Sequence, residues 1–359
     1  MMNFIPGVEN PVSDRIEWNV RFIKKKEEKI TMKKIIALVL VLVMVLSMTA
    51  CGGKKDTYEL RCSTNLAATS TVGQGLAKFV ELVNEKSGGK INATANFGSE
   101  LGSQAEQVAM AKSGDLEMVC AAPGTGPGKY EGAEQLMLFE FPFLFKDNDH
   151  YRRVMKATEG QVNEIVAPLG FTAMAGMSQG SRDVLTNVPV TCLADMQDLI
   201  MRGPNAVYIS MFESLGAAGI TMDWNDIYTA MSQNVCQGCE GSPSSLHASA
   251  LEDNGKYLAI TNHIIACTYF FFNTKWFESL PADLQTIVKE CAAEAQAYQE
   301  QIDDADQTAA LEAMKANGVT VTEIADIDAW KEACAPMTEE YLSKGPQWQA
   351  FYDVLTAVD

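Results

Sequence analysis

The chain has 359 residues with 28 Lys+Arg against 46 Asp+Glu, a formal charge of −18, and 47% of its residues are hydrophobic. From Cys51 onward the imbalance sharpens to 20 basic residues against 41 acidic ones, which excludes nucleic acid as a partner because phosphate binding needs a basic face. A length of this order buries a large core and usually divides into two lobes.

Residues 1–31 place a charged stretch where no signal needs one, and they read as a start called too early. The run Lys24 to Lys29 is encoded largely by purine-rich codons, where a ribosome-binding site would precede Met32. From Met32 the order is that of a secretory signal: Lys33-Lys34, the uncharged run Ile35 to Leu46, then Ser47-Met48-Thr49-Ala50-Cys51. Its apolar core is about a dozen residues, whereas a spanning helix needs about 20. A Cys directly after small residues resembles a bacterial lipobox, which implies a signal over 32–50, lipid on Cys51 and a short tether over 51–56.

Eight cysteines follow, at Cys62, Cys120, Cys192, Cys236, Cys239, Cys267, Cys291 and Cys334. Most lie in apolar runs, where a free Cys behaves as a small hydrophobe. The pair Cys236 and Cys239 has metal-ligand spacing but no second pair, and only His247 is close, so neither metal nor cofactor is expected.

From Thr57 the pattern alternates. Thr57 to Cys62 reads as a strand, and Thr71 to Lys86 as a helix with Leu76, Phe79, Val80 and Val83 at helical spacing, ended by Ser87-Gly88-Gly89. Lys90 to Phe97 is the next strand, Ser103 to Lys112 a helix stopped by Gly114, and Leu116 to Ala121 a third strand. Asp147-Asn148-Asp149 lacks the remaining ligands of a calcium loop and reads as a helix start. A second unit opens with a strand at Phe171 to Met177 leading into Arg182. It continues with a helical turn at Asp195 to Leu199, a strand at Ile200 to Gly203 and a helix at Tyr208 to Leu215 stopped by Gly216. Repeated strand-helix-strand units predict a largely parallel α/β sheet in two lobes with a cleft between them. Pro281 to Asn317 predicts a helix of roughly 50 Å that runs across both lobes; a break near Asp303-Asp304 is the alternative.

Several segments in one order then carry a resemblance. They are Gly180-Ser181-Arg182, Asp195 to Asn205, Gly216-Ala217, Met222 to Ala230 and Gly238-Cys239-Glu240, supported by Lys86 to Ile91, Pro142 to Phe145, Thr261-Asn262-His263 and Leu280 to Gln285. The sequence resembles the solute receptors of tripartite ATP-independent periplasmic (TRAP) transporters, the dicarboxylate-receptor family, over nearly all of the chain after Cys51. The resemblance implies a monomeric, two-lobed α/β receptor of the periplasmic-binding-protein kind, with a long helix spanning both lobes. It implies lobe I over 57–180 and 267–305, and lobe II over 181–266 and 306–359. The expected ligand is an organic acid, and the expected partners are the small and large membrane subunits of an ion-gradient-driven permease. The family's carboxylate-clamping arginine falls on Arg202; Arg182 is a second contact, Asn65 and the aromatic wall Trp224 further ones, and Asn205 a weaker candidate. A guanidinium offers a carboxylate two parallel N–H donors, which Lys cannot match.

The departures bear on the ligand. Where many relatives have an asparagine that meets the carboxylate, this chain has Gly241, with Ser242 or a water as substitute. The acidic positions of sialic-acid binders are Gln104 and Ala122 here, which makes sialic acid a poor fit. A smaller or more apolar acid is expected, with Phe270 to Phe272 as further wall.

Two further motifs suggest other chemistry. Gly176-Met177-Ser178-Gln179-Gly180 matches a hydrolase nucleophile elbow, with His263 as a distant base, but Ser181 to Val190 makes a poor following helix. Gly124-Thr125-Gly126-Pro127-Gly128 lacks the ending of a phosphate loop and reads as a mobile connection over the cleft. No enzyme is expected; a receptor that presents its ligand to a sensor is the alternative to transport. An extracytoplasmic, lipid-anchored location follows from Cys51. Mutating the codon for Met32 in a reporter fusion should abolish export, and undiminished export would place the true start upstream.

Overall fold

Alternation sets the first strand: in β1 (Tyr58–Ser63) Leu60 and Cys62 are buried while Glu59 and Arg61 face outward. Ser70 then caps α1 (Thr71–Lys86) by accepting the Gly73 N–H, and Val72, Leu76, Phe79 and Val83 form its buried face. After β2 (Ile91–Asn96), α2 (Gln104–Ser113) starts on a capping box between Ser103 and Glu106 and stops at Gly114, whose φ of 91° lies in the left-handed region. β3 (Met118–Ala121) completes a parallel trio with β1 in the middle. The computed structural model describes residues 57–359, which form one unit; the signal, Cys51 and the tether lie outside the described residues.

The acidic cluster is a helix start, as expected. Asp147 caps α3 (Asn148–Val166) by accepting the His150 N–H at 2.7 Å. β4 (Phe171–Thr186) follows, then β5 (Ile200–Gly203), α4 (Ala206–Ser214), β6 (Ala218–Thr221), α5 (Ile227–Ser232), β7 (Gly238–Gly241) and α6 (Pro243–Ala248). β8 (Tyr257–Asn273), α7 (Thr274–Ser279), α8 (Ala282–Ala316), β9 (Thr320–Glu323), α9 (Ile327–Leu342) and α10 (Pro346–Thr356) complete the chain. The turn expected at Asp195 lies slightly earlier, over Leu193–Met196, because the Asp195 carboxylate accepts the N–H groups of Thr191 and Cys192.

The strands order as β2-β1-β3-β8-β4-β7-β5-β6, with β9 beside β8. β4 and β8 are the long members and pair antiparallel along nearly their whole length. The last residues of β8 pair with β3, its first residues with β9, and the end of β4 with β7. The two strands therefore join the two halves of the sheet. Their register slips between Met174 and Met177, between Ser178 and Ser181, and between Arg182 and Val184.

β4 is longer than the sequence pattern indicated. Gly176 to Gly180 runs inside it, so no strand-turn-helix elbow is present, and the Ser178 hydroxyl is bonded to Asn148 and to the Gly180 N–H instead of to a histidine. β8 is buried on both faces, which is why it reads as a continuous apolar run. Phe270 and Phe272 pack beside Phe79 on α1, and Phe271 packs against Phe171 on the opposite face. These aromatics are core, not cleft wall.

α8 is one unbroken helix of 35 residues, so the break considered at Asp303-Asp304 does not occur. Leu284, Val288, Cys291, Ala292 and Ala295 pack into the core around α1, and Met314 into the core beside β7. Midway, the buried Asp303 accepts hydrogen bonds from Thr71, Asn148, Arg152 and Gln307, so α8 is fastened where the two long strands cross beneath it. Gln299 and Gln307 donate to the carbonyls of Ser178 and Gln179 there.

Beside this junction the buried Asp183 accepts the N–H groups of Thr261 and Asn262 at 2.9 and 3.0 Å. Burial, partly offset by those two bonds, pushes its carboxyl up to about 7. The unfolded chain releases this proton near pH 4. From there to pH 7 the folded state holds more protons than the unfolded state, so stability falls as pH rises. Asp183→Asn keeps the carbonyl acceptor and removes the charge. Its advantage over the parent should reach about 2 to 4 kcal/mol at pH 8 and shrink toward pH 4; denaturant melts with a pH-independent gap would refute this.

Candidate functional site

Four neighbouring strands bring charge to one place: Arg182 from β4, Arg202 from β5, Glu240 from β7 and His263 from β8. Glu240 is fully buried. Arg182 grips its carboxylate with Nε on one oxygen and Nη2 on the other, the latter at 2.7 Å, and also donates to the Glu240 carbonyl. Arg202 Nη1 stands 4.0 Å from Glu240 Oε1 and His263 Nε2 3.9 Å from Oε2. Burial pushes Glu240 up, but the charge and hydrogen bonds of Arg182, with His263 and Arg202, outweigh it and hold the carboxyl below its usual range. His263 is driven down to about 4 by burial and is neutral at pH 7; its Nδ1 shares a proton with the Thr261 hydroxyl at 2.7 Å.

The two arginines differ in how they are satisfied. Arg182 is bonded to Glu240 through Nε and Nη2, and that anion raises its affinity for its proton against the effect of burial. Arg202 is 2% exposed and donates Nε to the Met222 carbonyl at 2.8 Å, while its buried Nη1 has no hydrogen-bond partner. Burial and the nearby Arg182 both act against its charge, yet a guanidinium keeps its proton in proteins. A buried, charged donor without an acceptor is costly unless something fills the space before it.

Beside it lies a cleft of about 600 Å³, its open mouth included, which Arg202 helps to line. Arg182, Arg202, Trp224 and Tyr208 line one side; Asn65, Leu66, Gln104 and Ala122 line the other. The Trp224 ring lies 5.6 Å from the Arg202 guanidinium and 6.0 Å from that of Arg182, close enough for cation–π attraction. Its Nε1 donates to Ser249 at 2.9 Å, which fixes the plane of the ring.

Four of the five residues singled out from the sequence, Asn65, Arg182, Arg202 and Trp224, thus stand around one cleft. Asn205 does not line it. Its side-chain oxygen caps α4 by accepting the Val207 N–H, and its amide group donates to the buried Glu140. Gly241 stands where no side chain fits, since a Cβ there would come within 2.9 Å of Leu246 and 3.1 Å of Trp224. Ser242 bonds to Ser245 instead of facing the cleft. The glycine-rich loop is packed and not the mobile cover expected: Gly126, Pro127 and Gly128 are buried, and a Cβ on Gly126 would lie 2.7 Å from the Ala122 carbonyl.

Glu140, Thr125, Gln179 and Tyr208 also line the cleft and were missed. For Glu140 a signal existed, because it is the one charge in the apolar run Leu136 to Phe145. Cys236 and Cys239 are buried free thiols, with burial raising both above the usual range. Among the described residues no group of three His, Cys, Asp or Glu side chains stands together as a metal site, and no helix is long and apolar enough to cross a membrane.

Residues 62–344 match the family described as bacterial extracellular solute-binding protein, family 7. A solute-binding protein of Sulfitobacter sp. (strain NAS-14.1) is 28% identical over 75% of this chain and 82% of its own length. The C4-dicarboxylate-binding periplasmic protein DctP of Rhodobacter capsulatus is 26% identical over 79% of this chain and 86% of its own. Among solved structures, a TRAP periplasmic solute binding protein of Pseudomonas putida F1 with bound D-glucuronate superposes with a TM-score of 0.77 at 27% identity, covering 84% of this chain and 97% of that one. With a family match over most of its length and the same α/β architecture as its solved relatives, the chain belongs to the family 7 extracellular solute-binding proteins and is a solute receptor.

Proposed function

We propose that this receptor binds an organic acid in the cleft, with one carboxylate oxygen accepting a hydrogen bond from Arg202 Nη1, and hands the acid to the membrane subunits of a TRAP-type permease driven by an ion gradient. The observation that carries the reading is the buried, unpartnered Nη1 beside an open cleft. A carboxylate there supplies the missing acceptor and the missing negative charge together. Arg182, held by Glu240, contributes its field more than free donors. Trp224 forms a flat wall, and Asn65 reaches the ligand from the other side. The glucuronate-bound relative and the dicarboxylate-binding one carry acids of this kind.

Closure follows from the same geometry. Contacts from Asn65 and Gln104 on one side and Arg202 and Trp224 on the other exist together only when both halves, 57–180 with 267–305 and 181–266 with 306–359, meet the ligand. The bend falls on β4 and β8 where their register slips. Lipid on Cys51 keeps the receptor at the outer face of the cell membrane beside its permease.

A thermal-shift screen over keto acids, sugar acids, dicarboxylates and aromatic acids identifies the ligand; at about 100 times its Kd a ligand adds about 2.7 kcal/mol of stability. With that ligand, Arg202→Ala should lose at least about 2 to 5 kcal/mol of binding free energy by calorimetry, and near-native affinity would remove Arg202 from the site. Cys51→Ala should move the receptor from the membrane fraction to the soluble one, whereas an unchanged distribution would remove the lipid anchor.

A further inference from the structure

The proposed carboxylate contact accounts for one end of a ligand. The other charged wall of the cleft is Glu140, which is 2% exposed and stands at the end of the short helical turn Glu134–Glu140. Its Oε1 accepts the Thr125 N–H at 3.1 Å and the Thr125 hydroxyl at 3.0 Å, and Asn205 Nδ2 donates to its Oε2. The position is tight, since a Cβ on Gly124 would come within 2.8 Å of the Glu140 carboxyl carbon. Asn205 cannot turn its amide over without giving up the cap on α4, so it offers Glu140 only N–H.

A carboxylate has about four acceptor positions. Three of them on Glu140 are filled by protein donors, and the remaining one belongs to Oε2, on a side chain that borders the cleft. What that position lacks is a hydrogen-bond donor. The surrounding charge points the same way. Two cations, Arg182 and Arg202, stand with three carboxylates, Glu240, Glu140 and the exposed Asp223, so one ligand carboxylate already adds to an excess of negative charge and a second would add more. A second carboxylate pressed against Glu140 would set two anions side by side in a buried place.

From this arrangement we infer that Glu140 determines specificity: it accepts a hydrogen bond from a ligand hydroxyl and rejects a second carboxylate, which makes this a receptor for hydroxylated monocarboxylates and not for dicarboxylates. The inference rests on the reading that a ligand carboxylate meets Arg202, and it parts this chain from its dicarboxylate-binding relative. Thr125, Asn205 and Gly124 are positioning residues, which hold the carboxylate in place and leave one lone pair for the ligand.

The test uses matched acids of one carbon skeleton: erythronate with meso-tartrate, D-gluconate with D-glucarate, and D-galactonate with galactarate. Each is titrated calorimetrically into the full receptor and into Glu140→Gln, with Arg202→Ala as reference. In the parent, the monoacid of any pair that binds should be at least about tenfold tighter than its diacid. In Glu140→Gln that ratio should shrink at least about tenfold, chiefly through tighter diacid binding. A parent that binds the diacid equally well or better, or a Glu140→Gln of parental melting temperature with an unmoved ratio, overturns the inference. Should Glu140→Gln fail to fold, the ratio in the parent decides alone. Diacid binding that Arg202→Ala abolishes would keep the carboxylate reading and remove only the role of Glu140. Silence across all pairs would remove hydroxy acids as the ligand class, and binding indifferent to Arg202→Ala would remove the reading beneath it.

Discussion

Glu240, fully buried beside two arginines, is the interaction on which the site depends. Taking a carboxylate out of water costs several kcal/mol, and here Arg182 offsets that through a two-pronged contact. The arrangement also makes two guanidiniums tolerable within one small volume, because each faces the same anion. Removing one partner of such a buried pair typically costs about 3 to 5 kcal/mol. Glu240 bonds Arg182 through Nε and Nη2 and meets Arg202 only by proximity, so the anion holds the first cation in place and leaves Nη1 of the second without an acceptor.

The sheet makes this possible. β7 lies between β4 and β5, and β8 lies on the far side of β4, so four charged or ionisable side chains distant in sequence come together, and two of them, Arg182 and Arg202, line the cleft. The same long strands, β4 and β8, carry the register slips, and α8 is pinned over them by Asp303, Gln299 and Gln307. Arg182 therefore sits on β4 at one of these register slips.

Much of the fold was legible because its signals are local. The capping box of Ser103 and Glu106, the stop at Gly114, the start at Asp147 and the apolar row of α8 each act within a turn or two of helix. Arg202, Arg182, Asn65 and Trp224 were reached through motif order, and they do stand around one cleft. What escaped depends on contacts between distant segments. Arg182 and Glu240 are 58 positions apart, Asn205 and Glu140 are 65 apart, and no spacing rule announces either pair. Phe270 to Phe272 were misplaced for a related reason. An aromatic run fits a cleft wall as well as a strand buried on both faces, and only the neighbours of β8 decide between them. The glycines at 124–128 were read as freedom, whereas here they serve close approach to Ala122 and Glu140.

The unpartnered Nη1 of Arg202 has a consequence outside binding itself. A buried donor left without an acceptor costs about 1 to 3 kcal/mol, so a ligand that meets Nη1 in the proposed way would also stabilise the fold. Filling the cleft removes that cost, and every 1.4 kcal/mol lowers the fraction of molecules open to degradation about tenfold where opening is fast relative to cleavage. On the proposed binding mode, proteases outside the cytoplasm would clear idle receptors sooner than occupied ones, and the abundance of the receptor would follow the supply of its solute without any change in gene expression.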